Sequence, residues 1–118
     1  MWQPNLLRQV QFYGTYYPDF YEKLDVSVRA KLDWTLILIE TQEKVPRKYF
    51  RAITDSTGLY EIRIQSAGKN YRVFSFFDKG KLIVLINGFQ KKSRKTPKTE
   101  IAKAVAIKKQ YFNEKYRK

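Results

Sequence analysis

The chain has 118 residues, which is enough for one domain with a single hydrophobic core. It carries 24 Lys and Arg against 11 Asp and Glu, for a formal net charge of +13, and contains neither cysteine nor histidine. Their absence excludes disulfides, thiolate metal sites, cysteine nucleophiles and Ser-His pairs. Because the chain is rich in aromatic residues, we expect it to fold. Its longest apolar run, Leu82–Ile86, is too short to cross a membrane, so we expect a cytoplasmic domain with no membrane partner.

The N-terminal half predicts one strand followed by two helices. Arg8–Gly14 alternates apolar and polar residues and is expected to be the first strand. A short helix is expected to begin at Pro18, since proline is tolerated in a first turn. Asp25 is the predicted N-cap of a longer helix that continues to about Thr41.

Residues 47–58 show no periodic pattern and are interpreted as an irregular connection. Three antiparallel strands are then predicted, namely Leu59–Gln65, Tyr71–Phe77 and Lys81–Asn87. The last of these is apolar on both faces, which is typical of a central strand covered on both sides.

A final helix is predicted after Thr96, its N-cap, with Pro97 at the first helical position. The predicted order is therefore β-α-α-β-β-β-α in one domain over residues 1–118. This order is typical of an α+β fold in which an antiparallel meander packs on the two N-terminal helices.

Positive charge is concentrated in the second half of the chain. Residues 1–59 hold 8 basic and 7 acidic side chains, whereas residues 60–118 hold 16 basic and 4 acidic ones. Arg63 lies on the polar face of one predicted strand together with Glu61, and Arg72 is expected opposite Arg63 across the hairpin. Guanidinium groups match phosphate oxygens, so this pattern favours a nucleic-acid partner. For residues 91–118 alone, a solvated lysine-rich tail is the alternative interpretation.

Several catalytic and cofactor sites are absent from the sequence. The five glycines are isolated in predicted turns and form no phosphate-binding loop. The carboxylates form no Asp-x-Asp cluster, which argues against a two-metal nuclease. We therefore expect neither a metal ion nor another cofactor.

The segment Gly58–Ile101 (GLYEIRIQSAGKNYRVFSFFDKGKLIVLINGFQKKSRKTPKTEI) resembles the C-terminal half of RelE/HigB-type toxins of toxin–antitoxin modules, in particular the phage-derived HigB-like branch. The GLYE-R and YRVF strands and the more specific INGF-KK–KTPK-EI segment carry the resemblance. The preceding elements fit the same layout. The resemblance implies a ribosome-dependent endoribonuclease that cuts mRNA in the decoding site of the small subunit and is inhibited by a helix-turn-helix antitoxin.

The resemblance also implies roles for individual residues. Arg72 matches a phosphate-binding arginine, and Lys92 lies among basic residues that stabilise the transition state. Arg63 and Glu61 stand where the better-studied RelE pattern has lysines, and Thr96-Pro97 stand where it has a tyrosine. The expected catalytic residues are Arg72, Lys92, Arg63 and Glu61, and the expected RNA-binding residues are Lys91, Arg94, Lys95 and Lys69.

The general base is not determined by these patterns. Arginine stays protonated, so Arg63 is interpreted as a phosphate clamp. The base is then either Glu61 or a lysine whose pKa is lowered by its crowded neighbours. A surface salt bridge between Glu61 and Arg63 is the structural alternative.

Two other functions remain open at this level. A ParE-like gyrase-inhibiting toxin would share the fold without being a nuclease. A non-catalytic RNA-binding module would need only the basic face and its aromatic neighbours.

Overall fold

The computed structural model describes residues 6–53 and 57–117. These residues form an α+β fold, as predicted. Its elements are β1 (Gln9–Phe12), α1 (Tyr16–Glu22), α2 (Val26–Thr41), β2 (Phe50–Ala52), β3 (Tyr60–Ser66), β4 (Lys69–Asp78), β5 (Leu82–Lys91) and α3 (Lys98–Tyr116). Within these residues, no helix is long and apolar enough to span a lipid bilayer.

The strands form one sheet in the order β1-β5-β4-β3-β2. The predicted antiparallel meander is confirmed for β3, β4 and β5, while β1 pairs with β5 in parallel. Helices α1 and α2 pack on one face of the sheet and α3 packs on the other. The prediction that the third strand of the meander is central and covered on both sides is therefore confirmed.

The predicted order of elements was wrong by one strand. Residues 50–52 form β2, which pairs with β3 at the edge of the sheet, where an irregular connection was expected. A three-residue strand is too short to show an alternating pattern, so only its pairing with β3 identifies it. Residues 54–56 of the same predicted connection lie outside the described residues.

Some element boundaries also differ from the predictions. Helix α1 begins at Tyr16 rather than Pro18, which occupies the first turn, where its missing N–H costs no helical hydrogen bond. Helix α2 follows Asp25 and ends at Thr41, as predicted. Helix α3 has Pro97 as its N-cap, so the predicted N-cap Thr96 lies one residue further out.

Strand β5 is longer than predicted because it continues through a bulge. Val73 pairs with Gly88 and Ser75 with Leu85, so one residue of β4 faces two residues of β5. Pairing then continues to Lys91, which lies opposite Asn70. The first part of the predicted basic loop is therefore held in the sheet beside the β3–β4 hairpin.

Helix α3 is anchored at the end of β4 that lies farthest from the β3–β4 hairpin. The buried carboxylate of Asp78 accepts hydrogen bonds from Lys115 Nζ at 2.6 and 2.7 Å and from the Tyr111 hydroxyl. Both donors hold the pKa of Asp78 below its ordinary value. The contact fixes the C-terminal part of α3 against the sheet.

Gly88 provides a test of how α1 packs on β5. A Cβ atom at position 88 would lie 2.5 Å from Cδ2 of Phe20, which is part of α1. We expect Gly88→Ala to lower the free energy of unfolding by about 1–3 kcal/mol, because the added methyl group overpacks this contact. Urea unfolding of Gly88→Ala, made in the wild-type protein and in a Phe20→Leu variant, measures this loss of stability. The loss should be smaller in the Phe20→Leu background, because leucine occupies less space than phenylalanine. Wild-type stability of the single variant would contradict this packing.

Candidate nucleic-acid interface and active site

The β3–β4 hairpin places two arginines side by side. A two-residue turn, Ala67–Gly68, joins the strands, and both of its residues have positive φ, as a tight hairpin turn of this type requires. The pairing then sets Arg63 directly opposite Arg72, as predicted. The apolar residues that alternate with them face α1 and α2, so both arginines lie on the α3 face of the sheet.

Glu61 lies at the centre of an arginine cluster on this face. Its Oε1 atom is 2.9 Å from Nε of Arg51, 3.5 Å from Nε of Arg63 and 3.8 Å from Nε of Arg72. The residue is only 2% exposed. The predicted salt bridge between Glu61 and Arg63 is therefore present, but its expected surface location is wrong, because packing on this face buries the carboxylate among three guanidinium groups.

Arg51 was not among the predicted site residues. It lies on β2, directly opposite Glu61, and donates a hydrogen bond to Glu61. The sequence signal for it was weak, since an arginine in a segment interpreted as irregular has no predicted partner. Only the pairing of β2 with β3 brings it into the cluster.

Arg72 is buried and donates a hydrogen bond to the backbone. It is 4% exposed, and its Nη1 donates a hydrogen bond to the backbone oxygen of Tyr71 at 3.0 Å. Its Nε and that of Arg63 are buried near Glu61, yet neither has a hydrogen-bond partner among the described residues. Burial, and then the charge of Arg63, lower the pKa of Arg72, but an arginine remains protonated at neutral pH.

A surface cleft of about 660 Å³ lies next to this arginine cluster. Six cationic side chains of the described residues contribute to its wall, and no carboxylate of the described chain does. Its lining residues are Arg63, Gly68, Lys69, Asn70, Arg72, Gln90, Lys91, Lys92, Ser93 and Arg94. We call this the hairpin cleft.

The hairpin cleft brings together six of the eight predicted site residues. Glu61 does not line it but lies behind Arg63 and Arg72 as their counterion. Lys95 is exposed and is absent from the lining, while its backbone oxygen accepts a hydrogen bond from Ser93. The grouping follows from the hairpin together with the extended β5.

Lys91 differs electrostatically from an ordinary surface lysine. Burial at the end of β5 lowers its pKa, and the guanidinium of Arg72 lowers it further, while Glu61 opposes the shift. A lysine with a lowered pKa has a larger neutral fraction near neutral pH and can accept a proton. Because Lys91 also lines the cleft, it is a candidate base.

The cationic lining of the cleft has the chemistry of a phosphate site. Within residues 6–53 and 57–117, no three carboxylates are grouped so that they could hold a metal ion. Preorganised guanidinium and ammonium groups can bind a phosphodiester and stabilise the charge that develops when it is attacked. The arrangement can thus provide both binding and transition-state stabilisation.

The role of Glu61 as counterion can be tested by removing its charge. We expect Glu61→Gln to lower the free energy of unfolding by about 1–3 kcal/mol, because Arg51 loses its charged acceptor and all three guanidinium groups lose their negative counterion. Inorganic phosphate should raise the melting temperature of this variant more than that of the wild type. Glu43→Gln, at an exposed position, is the control for loss of one negative charge. Equal responses of both variants to phosphate would contradict the counterion role.

The comparisons with known proteins identify the family. The model of the family described as Phage derived protein Gp49-like (DUF891) matches residues 19–109, which include every residue of the hairpin cleft. No curated protein matches the chain significantly. The toxin resemblance is confirmed at the level of the superfamily, while the HigB-like branch stays a prediction. The chain belongs to the Gp49-like family of phage-derived proteins, within the RelE/HigB-like superfamily of toxins from toxin–antitoxin systems.

Proposed function

We propose that this protein is a ribosome-dependent mRNA interferase of the HigB-like branch, a cytoplasmic endoribonuclease toxin that cleaves translated mRNA. The observation that carries the proposal is the hairpin cleft, where six cationic side chains converge without a carboxylate in the described lining. Membership of a toxin–antitoxin family implies an antitoxin partner. We further propose that this antitoxin is a helix-turn-helix protein.

The proposed reaction is an internal transesterification of RNA. The ribose 2′-oxygen attacks the adjacent phosphorus, the bond to the 5′-oxygen breaks, and the products carry a 2′,3′-cyclic phosphate and a 5′-hydroxyl. Negative charge accumulates on the phosphorane oxygens during attack. Arg63 and Arg72 supply fixed positive charge at the cleft wall, so the proposed mechanism uses no metal ion.

Lys91 is the proposed general base, and Glu61 is a positioning residue. The Glu61 carboxylate is buried and accepts a hydrogen bond from Arg51, whereas Lys91 is partly exposed, lines the cleft and has a lowered pKa. Neutral Lys91 removes the proton from the 2′-hydroxyl. The ammonium of Lys92, which also lines the cleft, returns a proton to the departing 5′-oxygen.

The ribosome has a defined part in this proposal. The cleft is an open surface feature built from one hairpin, the end of β5 and the loop after it. Such a surface binds phosphate but does not by itself align a flexible RNA for in-line attack. A codon held in the decoding site would provide that alignment, which is a large part of the barrier in reactions of this kind.

Cleavage assays with purified components test the function. The wild-type protein should cut mRNA on programmed ribosomes, leave 2′,3′-cyclic ends, and leave naked mRNA largely intact. Arg72→Gln should reduce single-turnover cleavage by roughly 10²–10³-fold through loss of a preorganised donor. Lys81→Ala removes an exposed charge outside the lining of the hairpin cleft, so this variant should cut at the wild-type rate.

Three results would contradict the proposal. Efficient cutting of naked RNA would remove the role of the ribosome. Inhibition of gyrase with intact mRNA would favour the ParE-like function. RNA binding without cleavage on ribosomes or in cells would favour the non-catalytic module.

The pH dependence of cleavage tests the base. Because only neutral Lys91 accepts a proton, the single-turnover rate should rise with pH and level off above the pKa of Lys91, which lies below the ordinary 10.5. Lys91→Met should abolish this rise, whereas Lys92→Met should lower the rate and leave the rise in place. If Lys91→Met keeps the wild-type profile and Glu61→Gln loses it, Glu61 is the base instead.

A further inference from the structure

A second cleft lies on the other side of Glu61. It measures about 230 Å³ and is lined by Arg47, Arg51, Ala52, Ile53, Glu61, Thr96 and Ile101. We name it the β2 cleft. We propose that the β2 cleft binds the nucleotide next to the scissile phosphate in the same mRNA strand, an inference that rests on the proposed function.

The two clefts meet at a single ion cluster. Glu61 lines the β2 cleft, and its Oε1 lies 3.5 Å from Nε of Arg63 and 3.8 Å from Nε of Arg72, both of which line the hairpin cleft. Arg51, the third member of the cluster, lines the β2 cleft. A strand whose scissile phosphate lies at Arg63 and Arg72 therefore reaches the β2 cleft directly beyond the Glu61 cluster.

The lining of the β2 cleft has the chemistry of a nucleotide subsite. Arg47 is exposed and forms no hydrogen bond or ion pair with any other residue of the described ranges, so its guanidinium is available to a phosphate. Ile53 and Ile101 are half-buried and give an apolar surface for one face of a base. The hydroxyl of Thr96 adds a group that can donate or accept a hydrogen bond.

The size of the β2 cleft limits what it can hold. Pockets for drug-sized ligands measure about 300–1,000 Å³, and this cleft is smaller. It therefore suits a single base with its phosphate rather than a helix or a long peptide. Its arginines favour an anionic ligand, and the Glu61 carboxylate, compensated by three arginines, leaves the lining positive.

The experiment is a titration of ¹⁵N-labelled protein with a 2′-O-methylated tetranucleotide, which cannot undergo the cleavage. The amides of Ile53, Thr96 and Ile101 should shift together with those of Gly68 and Asn70 in the hairpin cleft. Arg47→Ala should weaken binding and reduce the slope of log affinity against log salt concentration by about 0.7, the value of one phosphate contact on a single strand.

Two variants at neighbouring positions control for charge and folding. Lys48→Ala removes the same charge from the same turn, but Lys48 does not line the cleft and its ammonium lies 5.0 Å from the centre of the Tyr49 ring. It should keep the wild-type slope. Arg47→Lys should retain most of the slope, because a lysine still supplies the phosphate charge.

The outcomes separate this inference from the proposed function. Shifts confined to the hairpin cleft, or equal slopes for Arg47→Ala and Lys48→Ala, would overturn the subsite even if the protein cuts mRNA on ribosomes. A protein that fails to cut mRNA but shows both sets of shifts and the slope difference would retain the subsite as an RNA-binding feature and lose the nuclease assignment.

Discussion

The buried carboxylate of Glu61 is the interaction on which the site depends. Three guanidinium groups crowded on one face of a sheet repel one another, and one carboxylate within 2.9–3.8 Å of all three offsets that repulsion. Burying a charge is costly unless it is paired, so Glu61 and its arginines stabilise one another only as a group. The result is a row of cations held in place by the fold itself, as the proposed electrostatic catalysis requires.

The sheet creates this cluster through strand pairing rather than through residues adjacent in sequence. Arg51 faces Glu61 across β2 and β3, and Arg63 faces Arg72 across β3 and β4. The bulge in β5 then lets that strand continue to Lys91, which joins the same face. Helix α3, anchored at Asp78 on the opposite end of β4, contributes no residue to the hairpin cleft. The same face therefore provides a hydrophobic core at one end and a cationic cleft, the candidate anion site, at the other.

Local sequence patterns were sufficient for much of this arrangement. Alternation and the short hairpin predicted that Arg63 and Arg72 lie opposite each other, and continuous apolar residues predicted a central β5. Arg51 was missed because its strand has three residues and depends on a nonlocal partner. The burial of Glu61 was also missed, since alternation assigns a residue to a face but does not show how deeply that face is covered. Lys91 was expected in a loop but lies in β5, because the strand continues through a bulge that leaves no periodic pattern in the sequence.

The position of the scissile phosphate tests the central claim most directly. A structure of the protein on a ribosome, with a 2′-O-methylated codon in the decoding site, would locate that phosphate. We predict that the phosphate lies in the hairpin cleft, with its nonbridging oxygens within hydrogen-bond distance of the Arg63 and Arg72 guanidinium groups and the 2′-oxygen facing Lys91. A phosphate bound elsewhere on the protein would contradict this claim, provided that Glu61 and its arginines keep their present arrangement and make no contact with the RNA.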